Sequence, residues 1–330
     1  MFTRLRARLD AICRPRERVL AAAIALLAGI AVFAIASEVF PYHSSNHDEG
    51  VYLQQAALLL DGQFRLFPGA LGDAVRPWFF VDAGDHFYSK YQPLPAGFYA
   101  LSMAVFGEPR VTLAAVAAGN TALVYVLGGM AFDRRVGLLA ATAFAVSPMA
   151  LVTSSVFLPY APTTLFTLAF ACTYLYSHRT GSRRTALLAG GAIGVAFFMR
   201  PFTALLFALP FLAHATWELL RTLRRRADGS GPSLVLAARS RPVTRQGATA
   251  FVGLCFVGAA LEYNATMTGS PLTFPYEAFA PMDGPGFGRR RILGHAIDYT
   301  PAVALRSNAA VLWYLLTRWV PAGFLGTAFA

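Results

Sequence analysis

Two adjacent carboxylates, Asp48 and Glu49, lie in a polar segment directly after the first long apolar run. One carboxylate can act as a general base while its neighbour orients the acceptor or binds a metal. His43 and His47 are four residues apart, a spacing that suits a metal when both lie on one helix. The alternative is that the acidic pair only stabilises a helix start. Ser45 and Asp48 have the spacing of a capping box, and acidic residues in a first helical turn complement the helix dipole.

Lys90 is the only lysine of the chain, and arginine supplies the other long cationic side chains. Its isolation indicates either a site that favours a compact ammonium over a planar guanidinium, or chance. Tyr88 and Lys90 precede an apolar segment that contains Pro93 and Pro95. There an ammonium can hold a lipid phosphate at headgroup depth, or it can anchor the segment by snorkelling beside belt tyrosines.

A third group is the arginine run 289–291, which follows the glycine-rich residues 284–288 and precedes His295. Backbone N–H groups and guanidiniums that converge on one anion predict phosphate or sugar-phosphate binding. The alternative is contact with lipid headgroups. Arg200 lies between two apolar segments, just before Pro201. It either reaches an outer cavity or snorkels to the membrane surface.

The elements that position these residues are predicted to be membrane helices. Hydrophobic residues make up 56% of the 330 and charged residues 14%, against about 25% charged in soluble domains. Apolar stretches of about 20 residues suffice to cross a hydrocarbon core of about 30 Å. The sequence predicts an all-α polytopic membrane protein with about eight transmembrane helices, at 19–36, 111–132, 136–155, 159–176, 185–200, 202–220, 247–267 and 302–320.

Positive charge orients these spans. The arginines at 4–18 precede the first span and predict a cytoplasmic N-terminus. Residues 34–36 resemble a signal-peptidase site, but the apolar run is longer than a typical signal core, which favours an uncleaved helix. Alternation then places the arginines of 133–135, 179–184 and 221–245 in the cytoplasm. The expected location is the cell (plasma) membrane, with multiple passes.

The chain is predicted to form a single transmembrane domain, 1–330, with three long connections. Outer loop one is 38–109, a linker-like cytoplasmic loop is 221–246, and outer loop two is 268–301. Within outer loop one we expect a short helix at 51–60 and an interfacial helix at 93–107. If 93–107 crossed the membrane, the arginine-rich loops would lie outside.

Several classes of function are disfavoured. The net charge of +11 lies in short runs between apolar segments, so nucleic-acid binding is not expected. Cys13, Cys172 and Cys255 show no metal-ligand spacing. HExxH, GxSxG and Walker-type motifs are absent from the sequence. A non-catalytic transporter or membrane subunit is the alternative to an enzyme, but it would carry ionisable residues within its spans, whereas here they gather in the outer loops.

The order of these features resembles the GT-C superfamily of membrane glycosyltransferases. Within it, the chain is most similar to the branch of protein O-mannosyltransferases and lipid A aminoarabinose transferases. The similarity extends over about residues 15–300. The segments that carry it are the acidic motif 47–52, the segment 90–95 with Phe106-Gly107, residues 132–140 with Ser147-Pro148, and Tyr263-Asn264 with 268–271.

The resemblance implies an inverting transfer of a hexosyl or pentosyl group from a polyprenyl-phosphate donor to a hydroxyl of a lipid, glycan or protein acceptor, on the extracytoplasmic face. Asp48 would be the base and Glu49 would orient the acceptor or tune Asp48. Lys90 and the arginines 289–291 would stabilise the phosphate, with Tyr88, Arg200 and His295 as further binding candidates. The resemblance names no required cofactor and leaves metal dependence open, with His43 and His47 as candidate ligands of a divalent metal. Membrane lipids are expected partners.

Overall fold

Helices dominate the computed structural model, which describes residues 15–227 and 241–318 apart from 70, 71, 73, 75 and 293. The helices that precede residue 155 are α1 (Pro15–Glu38), α2 (Asp48–Leu60), α3 (Leu94–Phe106), α4 (Arg110–Ala131), α5 (Arg134–Ala145) and α6 (Pro148–Ser154). The later helices are α7 (Tyr160–Thr180), α8 (Arg183–Met199), α9 (Pro201–Ala227), α10 (Arg241–Thr268), α11 (Pro275–Phe279) and α12 (Pro301–Arg318).

Two small antiparallel sheets interrupt the helices, so the all-α prediction is corrected to a mostly helical fold. The first has the order β1-β3-β2, from β1 (Arg65–Leu66), β2 (Phe80–Asp82) and β3 (Phe87–Ser89). The second is a hairpin of β4 (Gly288–Ile292) and β5 (His295–Tyr299). Both lie in the segments predicted as outer loops. Aromatic and β-branched residues of β2 and β3 favour strand pairing, and Gly84, at φ +94°, closes the turn between them.

Helices occupy each of the eight segments predicted to cross the membrane, but the count of eight spans is not confirmed. Within the described residues, four helices are long and apolar enough to cross: Arg16–Glu38, Arg110–Ala131, Pro201–Thr222 and Pro242–Thr268. A fifth span results if α5 and α6 are counted together. Polar side chains in α7 and α12 lower their hydropathy, and α8 has only 17 residues. Helices α9 and α10 extend into the predicted cytoplasmic loop 221–246, to Ala227 and from Arg241. Residues 228–240 of that loop lie outside the described part.

The predicted span 136–155 is broken at Ser147, and α5 and α6 meet there at an angle of 61°. Pro148 explains the break, because proline lacks an N–H and forces the residue before it out of helical geometry. Ser147 accordingly has ψ 122°, and its hydroxyl accepts a hydrogen bond from the Ala150 N–H at 3.5 Å. The sharp turn directs the chain into residues 155–158, which pack in the core described next.

The chain divides into two compact units. The first unit comprises Met1–Ala22, Ala122–Ala140 and Pro159–Ala260. The second comprises Ala23–Thr121, Ala141–Leu158 and Leu261–Ala330. The second unit contains both predicted outer loops, and its core is built around Val32, Tyr52, Tyr99, Leu113 and Phe157. In the first unit, Phe170, Tyr174, Ala189 and Ala192 form a core cluster.

Candidate active site

Asp48 is the first residue of α2, and the polar segment before the helix fixes its position. The Asn46 amide oxygen accepts a hydrogen bond from the Asp48 N–H at 3.0 Å. The Ser44 hydroxyl in turn accepts one from the Asn46 N–H at 3.2 Å. The cap residue is His47, whose side chain makes no capping bond, so the predicted capping box of Ser45 does not form. Asp48 keeps 30% of its side chain exposed and can reach a substrate.

Lys90 is the partner of Asp48. Its Nζ lies 3.0 Å from Asp48 Oδ1, and its side chain is only 6% exposed. Aromatic rings surround the ammonium, with centroids 3.9 to 5.7 Å from Nζ; they belong to Phe79, Tyr91, Phe279 and Tyr276. Ring faces attract a cation electrostatically, and more strongly when water is excluded. A compact ammonium therefore fits this place, which favours the first of the two explanations for the lone lysine.

The ion pair depends on the packing of α2 against the segment that leads into α3. Tyr52 and Tyr91 stack with their ring centroids 4.7 Å apart and an interplanar angle of 8°. The Gln55 side-chain amide donates to the Tyr91 carbonyl at 3.2 Å. Phe80 pairs with Ser89 across β2 and β3, which sets Phe79 beside Lys90. The start of α2 and the segment before α3, which are distant in sequence, thus bring a carboxylate and an ammonium together.

Glu49 has a different environment from its neighbour. It is fully buried. Its Oε1 accepts hydrogen bonds from the Ser44 N–H at 2.9 Å and from the Ser44 hydroxyl. Its Oε2 accepts one from the Phe157 N–H at 2.8 Å. The carboxylate therefore joins the loop before α2 to the turn after α6. These bonds fix the start of α2, where Asp48 is the neighbouring residue.

An exposed aromatic surface lies beside His47, the residue before Asp48. Trp78 is 69% exposed, and its ring lies 4.8 Å from the ring of His47, the residue before Asp48. Phe79 has φ +60°, a conformation that is an outlier for a bulky side chain and that commonly marks functional sites. The sequence interpretation missed these residues. The run Trp78-Phe79-Phe80 after Pro77, in a polar loop, was the available signal.

The two histidines proposed as metal ligands have separate contacts. His43 is exposed and its Nδ1 lies 2.5 Å from the Ser44 carbonyl oxygen. His47 packs against Trp78. Among the described residues, the one set of three or more grouped histidine, cysteine or acidic side chains lies elsewhere, at His178, His214 and Glu218. Both residues precede α2, which begins only at residue 48, so they lack the helical spacing that would suit a metal.

The arginine run 289–291 forms strand β4, and its three side chains do not converge. Successive residues of a strand point to opposite faces, so Arg290 is separated from Arg289 and Arg291. Arg290 lies 4.4 Å from the ring centroid of Tyr299 and donates to the Gly286 carbonyl. Arg289 and Arg291 are exposed. His295, also exposed, begins β5.

The two remaining candidates, Tyr88 and Arg200, belong to different units. Tyr88 is buried in the central strand β3, and this burial raises the pKa of its phenol. Arg200 belongs to the first unit, where its guanidinium lies 4.5 Å from the ring centroid of Tyr160. The second unit thus holds every predicted site residue except Arg200.

Comparison with known families gives one match. The family model described as dolichyl-phosphate-mannose-protein mannosyltransferase matches residues 90–238, a little under half of the chain. The match begins at Lys90 and includes α3 to α9, whereas Asp48 lies before it. Searches of curated proteins and of solved structures give no match. The similarity to GT-C glycosyltransferases is thereby confirmed, and together with the apolar helices it indicates a membrane glycosyltransferase.

Proposed function

From the premise that residues 90–238 carry the pattern of a GT-C glycosyltransferase family, we propose that the chain moves a sugar from a polyprenyl-phosphate donor to an acceptor hydroxyl. The observation that carries this proposal is the ion pair of Asp48 with Lys90, at 3.0 Å. It combines a partly exposed carboxylate, suited to take a proton, with a shielded ammonium, suited to hold a phosphate.

In this proposal Asp48 is the general base. Its carboxylate takes the proton of the acceptor hydroxyl, a contribution of about 10²–10⁴ in rate for positioned acids and bases. The acceptor oxygen then attacks the anomeric carbon from the face opposite the phosphate. As the new C–O bond forms, the bond between the anomeric carbon and the phosphate oxygen breaks, and its electron pair stays on the phosphate. The configuration of the anomeric carbon is inverted.

Lys90 stabilises the leaving phosphate. An ammonium offers three N–H donors, and Asp48 Oδ1 takes one of them. The others can be donated to a phosphate that enters from the side of Asp48. Because the side chain is 6% exposed and surrounded by rings, its charge is weakly screened and acts strongly on the charge that develops. Before the donor binds, the carboxylate of Asp48 balances this charge.

The hairpin of β4 and β5 supplies the second cationic surface. Arg289 and Arg291 are exposed on it, and we assign them to the anionic headgroup region or to the donor phosphate. The donor is amphipathic, so its prenyl tail stays in lipid while the phosphate meets the protein at headgroup depth. The positive-inside rule supports an extracytoplasmic position for this loop and for outer loop one. The N-terminus then lies on the cytoplasmic side of the plasma membrane.

The arrangement favours an enzyme over the transporter alternative. A transporter site is expected between interrupted spans at the membrane midplane. Here Asp48 begins α2 and Lys90 directly follows β3, four residues before α3, and the two helices pack together in the core of the second unit. A lipid, glycan or protein with a free hydroxyl can approach the exposed edge of Asp48.

The test is transfer of label from a panel of radiolabelled polyprenyl-phosphate sugars, in membranes that contain the wild type, Asp48→Asn or Asp61→Asn. Asp61 ends the same helix, is exposed, and serves as the matched control. We expect Asp61→Asn to transfer at the wild-type rate and Asp48→Asn to lose at least a hundredfold. Normal transfer by Asp48→Asn would reject the base assignment. No transfer by folded wild type from any donor and acceptor supplied would favour the non-catalytic alternative.

A further inference from the structure

Three ligand-type side chains gather in the first unit, where the proposed transferase chemistry has no role for them. His178 lies near the end of α7, and His214 and Glu218 are four residues apart on α9. The His178 Nε2 atom is 3.2 Å from Glu218 Oε1. One ligand atom from each residue lies within 4.8 Å of the others. Positions four apart on one helix face the same side, so α9 presents both of its ligands toward α7.

The surroundings hold each ligand in a suitable orientation. His214 Nδ1 lies 2.9 Å from the Tyr174 hydroxyl, which leaves Nε2 as the ring nitrogen for a metal. Arg245 and Gln246 donate to Glu218 Oε2 at 2.6 and 3.0 Å, which leaves Oε1. Gln246 also donates to the Tyr174 hydroxyl at 3.0 Å. Partners of this kind fix the tautomer of a histidine and the rotation of a carboxylate in metal sites.

The spacing and chemistry fit a transition metal. Two ligand atoms at about 2.1 Å from a tetrahedral zinc are about 3.4 Å apart, close to the separation of His178 Nε2 and Glu218 Oε1. Two imidazoles and one carboxylate form a ligand set typical of zinc, with one position left for water. Both histidines are exposed at the surface of the chain. We propose that His178, His214 and Glu218 bind one divalent transition-metal ion of the zinc class, which joins α7 to α9.

This site is independent of the sugar-transfer proposal, because its ligands and their hydrogen-bonding partners all belong to the first unit and Asp48 and Lys90 to the second. It also accounts for the Arg245–Glu218 pair. That guanidinium is only 6% exposed and neutralises the carboxylate through one oxygen, while the other oxygen faces His178.

The test uses the purified full-length chain in detergent, stripped with a chelator and titrated calorimetrically with Zn²⁺ alone. We expect one equivalent to bind to the wild type and to a His43→Ala/His47→Ala double variant, which is the matched control. Glu218→Gln and His214→Ala should each weaken binding by at least about tenfold, and Tyr174→Phe by about 10-fold. Bound Co²⁺ should give the visible absorption bands of a four- or five-coordinate ion, and the same ligand variants should lose them.

Two results would overturn the site. One is the absence of stoichiometric Zn²⁺ binding by the stripped, folded wild type at micromolar metal. The other is unchanged binding in a His178→Ala/His214→Ala variant. Glu218→Gln keeps the shape of the side chain, so it replaces the double variant in the test if that variant fails to fold, as judged by circular dichroism and gel filtration. Because the readout is metal binding, an inactive transferase leaves this result interpretable.

Discussion

The ammonium of Lys90 lies 3.0 Å from the carboxylate of Asp48, and the three-stranded sheet of outer loop one separates the two residues along the chain. Removing Asp48 leaves the ammonium of Lys90, which is only 6% exposed, without its carboxylate partner, and this costs more than the loss of an exposed ion pair would. The pair thus fixes the two side chains to which the proposal assigns the base and the phosphate-binding group.

Lys90→Arg is expected to be a poor substitute despite its conserved charge. The larger planar guanidinium does not fit among the rings of Phe79, Tyr91 and Phe279, which approach within 3.9 to 4.9 Å of the ammonium. We expect kcat/KM for the lipid-phosphate donor to fall at least about tenfold in Lys90→Arg and further in Lys90→Met. Arg76→Lys, a change of the same type at an exposed position, should leave kcat/KM unchanged. Full activity in Lys90→Arg would contradict a shape-specific ammonium site.

The sequence predicted the two central residues, but for limited reasons. Asp48 was detectable because an acidic pair follows the first span, and Lys90 because it is the only lysine. Their contact was not detectable, since it depends on the register of β2 with β3 and on the stacking of Tyr52 on Tyr91. Tertiary packing of this kind leaves no local periodicity in a sequence.

The boundaries of most helices were predictable from local signals. Gly107, at φ +71°, ends α3 one residue after Phe106, as the predicted interfacial helix required. The break at Ser147 was missed, although Pro148 carried the signal, because the apolar run continues through it.

The difference in burial between Asp48 and Glu49 was also missed. Adjacent residues at a helix start point in different directions, so one carboxylate remains accessible and the other is buried.

Trp78 is expected to contact the sugar. Its indole is 69% exposed beside His47, which precedes the proposed base, and an exposed ring face suits packing against the C–H face of a sugar. Trp78→Ala should raise KM for the donor or acceptor severalfold, with kcat changed less. Stability should change by no more than about 0.5 kcal/mol, as is usual for exposed positions. The measurement is the separate determination of kcat and KM.

Trp217→Ala is the control for this prediction, because Trp217 is similarly exposed but lies on α9 in the first unit. It should leave both kinetic constants unchanged, and Trp78→Phe should retain most of the affinity. Equal KM values for wild type and Trp78→Ala, with every donor and acceptor tested, would show that the indole does not touch substrate.

The pKa of Tyr276 predicts sensitivity to alkali. Burial raises the pKa of its phenol above the ordinary value, and the hydrogen bond that the hydroxyl donates to Asp283 raises it further. The folded state therefore holds this proton more tightly than the unfolded state, so the contribution to stability is complete below about pH 10 and is lost as pH rises above it. We expect the Tm of Tyr276→Phe to fall less steeply with rising pH than the Tm of the wild type, between about pH 10 and pH 11.5.

The measurement for Tyr276 is thermal unfolding in detergent across this pH range, combined with absorbance titration of tyrosinate. Tyr42→Phe is the control, since the Tyr42 side chain is exposed and its removal should leave the slope of Tm against pH unchanged. An identical slope for Tyr276→Phe and wild type would mean that the Tyr276 phenol contributes nothing to the alkaline transition.

Gly190 and Gly191 provide a matched test of helix packing in the first unit. A Cβ on Gly190 would collide with the carbonyl oxygen of Thr249 on α10 and lie 3.0 Å from Val252 Cβ. A Cβ on Gly191 would meet only Val252 Cγ1, at 3.9 Å. Alanine improves helix propensity by about 1 kcal/mol at either position, so the two variants differ only in the collision. Small residues of this kind let membrane helices approach closely.

Gly190→Ala should therefore lower the free energy of unfolding by about 1–3 kcal/mol, as overpacking does, whereas Gly191→Ala should raise it slightly or leave it unchanged. Denaturant unfolding of the two variants in the same detergent measures the difference directly. If both variants were stabilised equally, α8 and α10 would be farther apart than the structure places them. If Gly190→Ala alone is destabilised, the close contact of α8 with α10 at Thr249 is present in the folded protein.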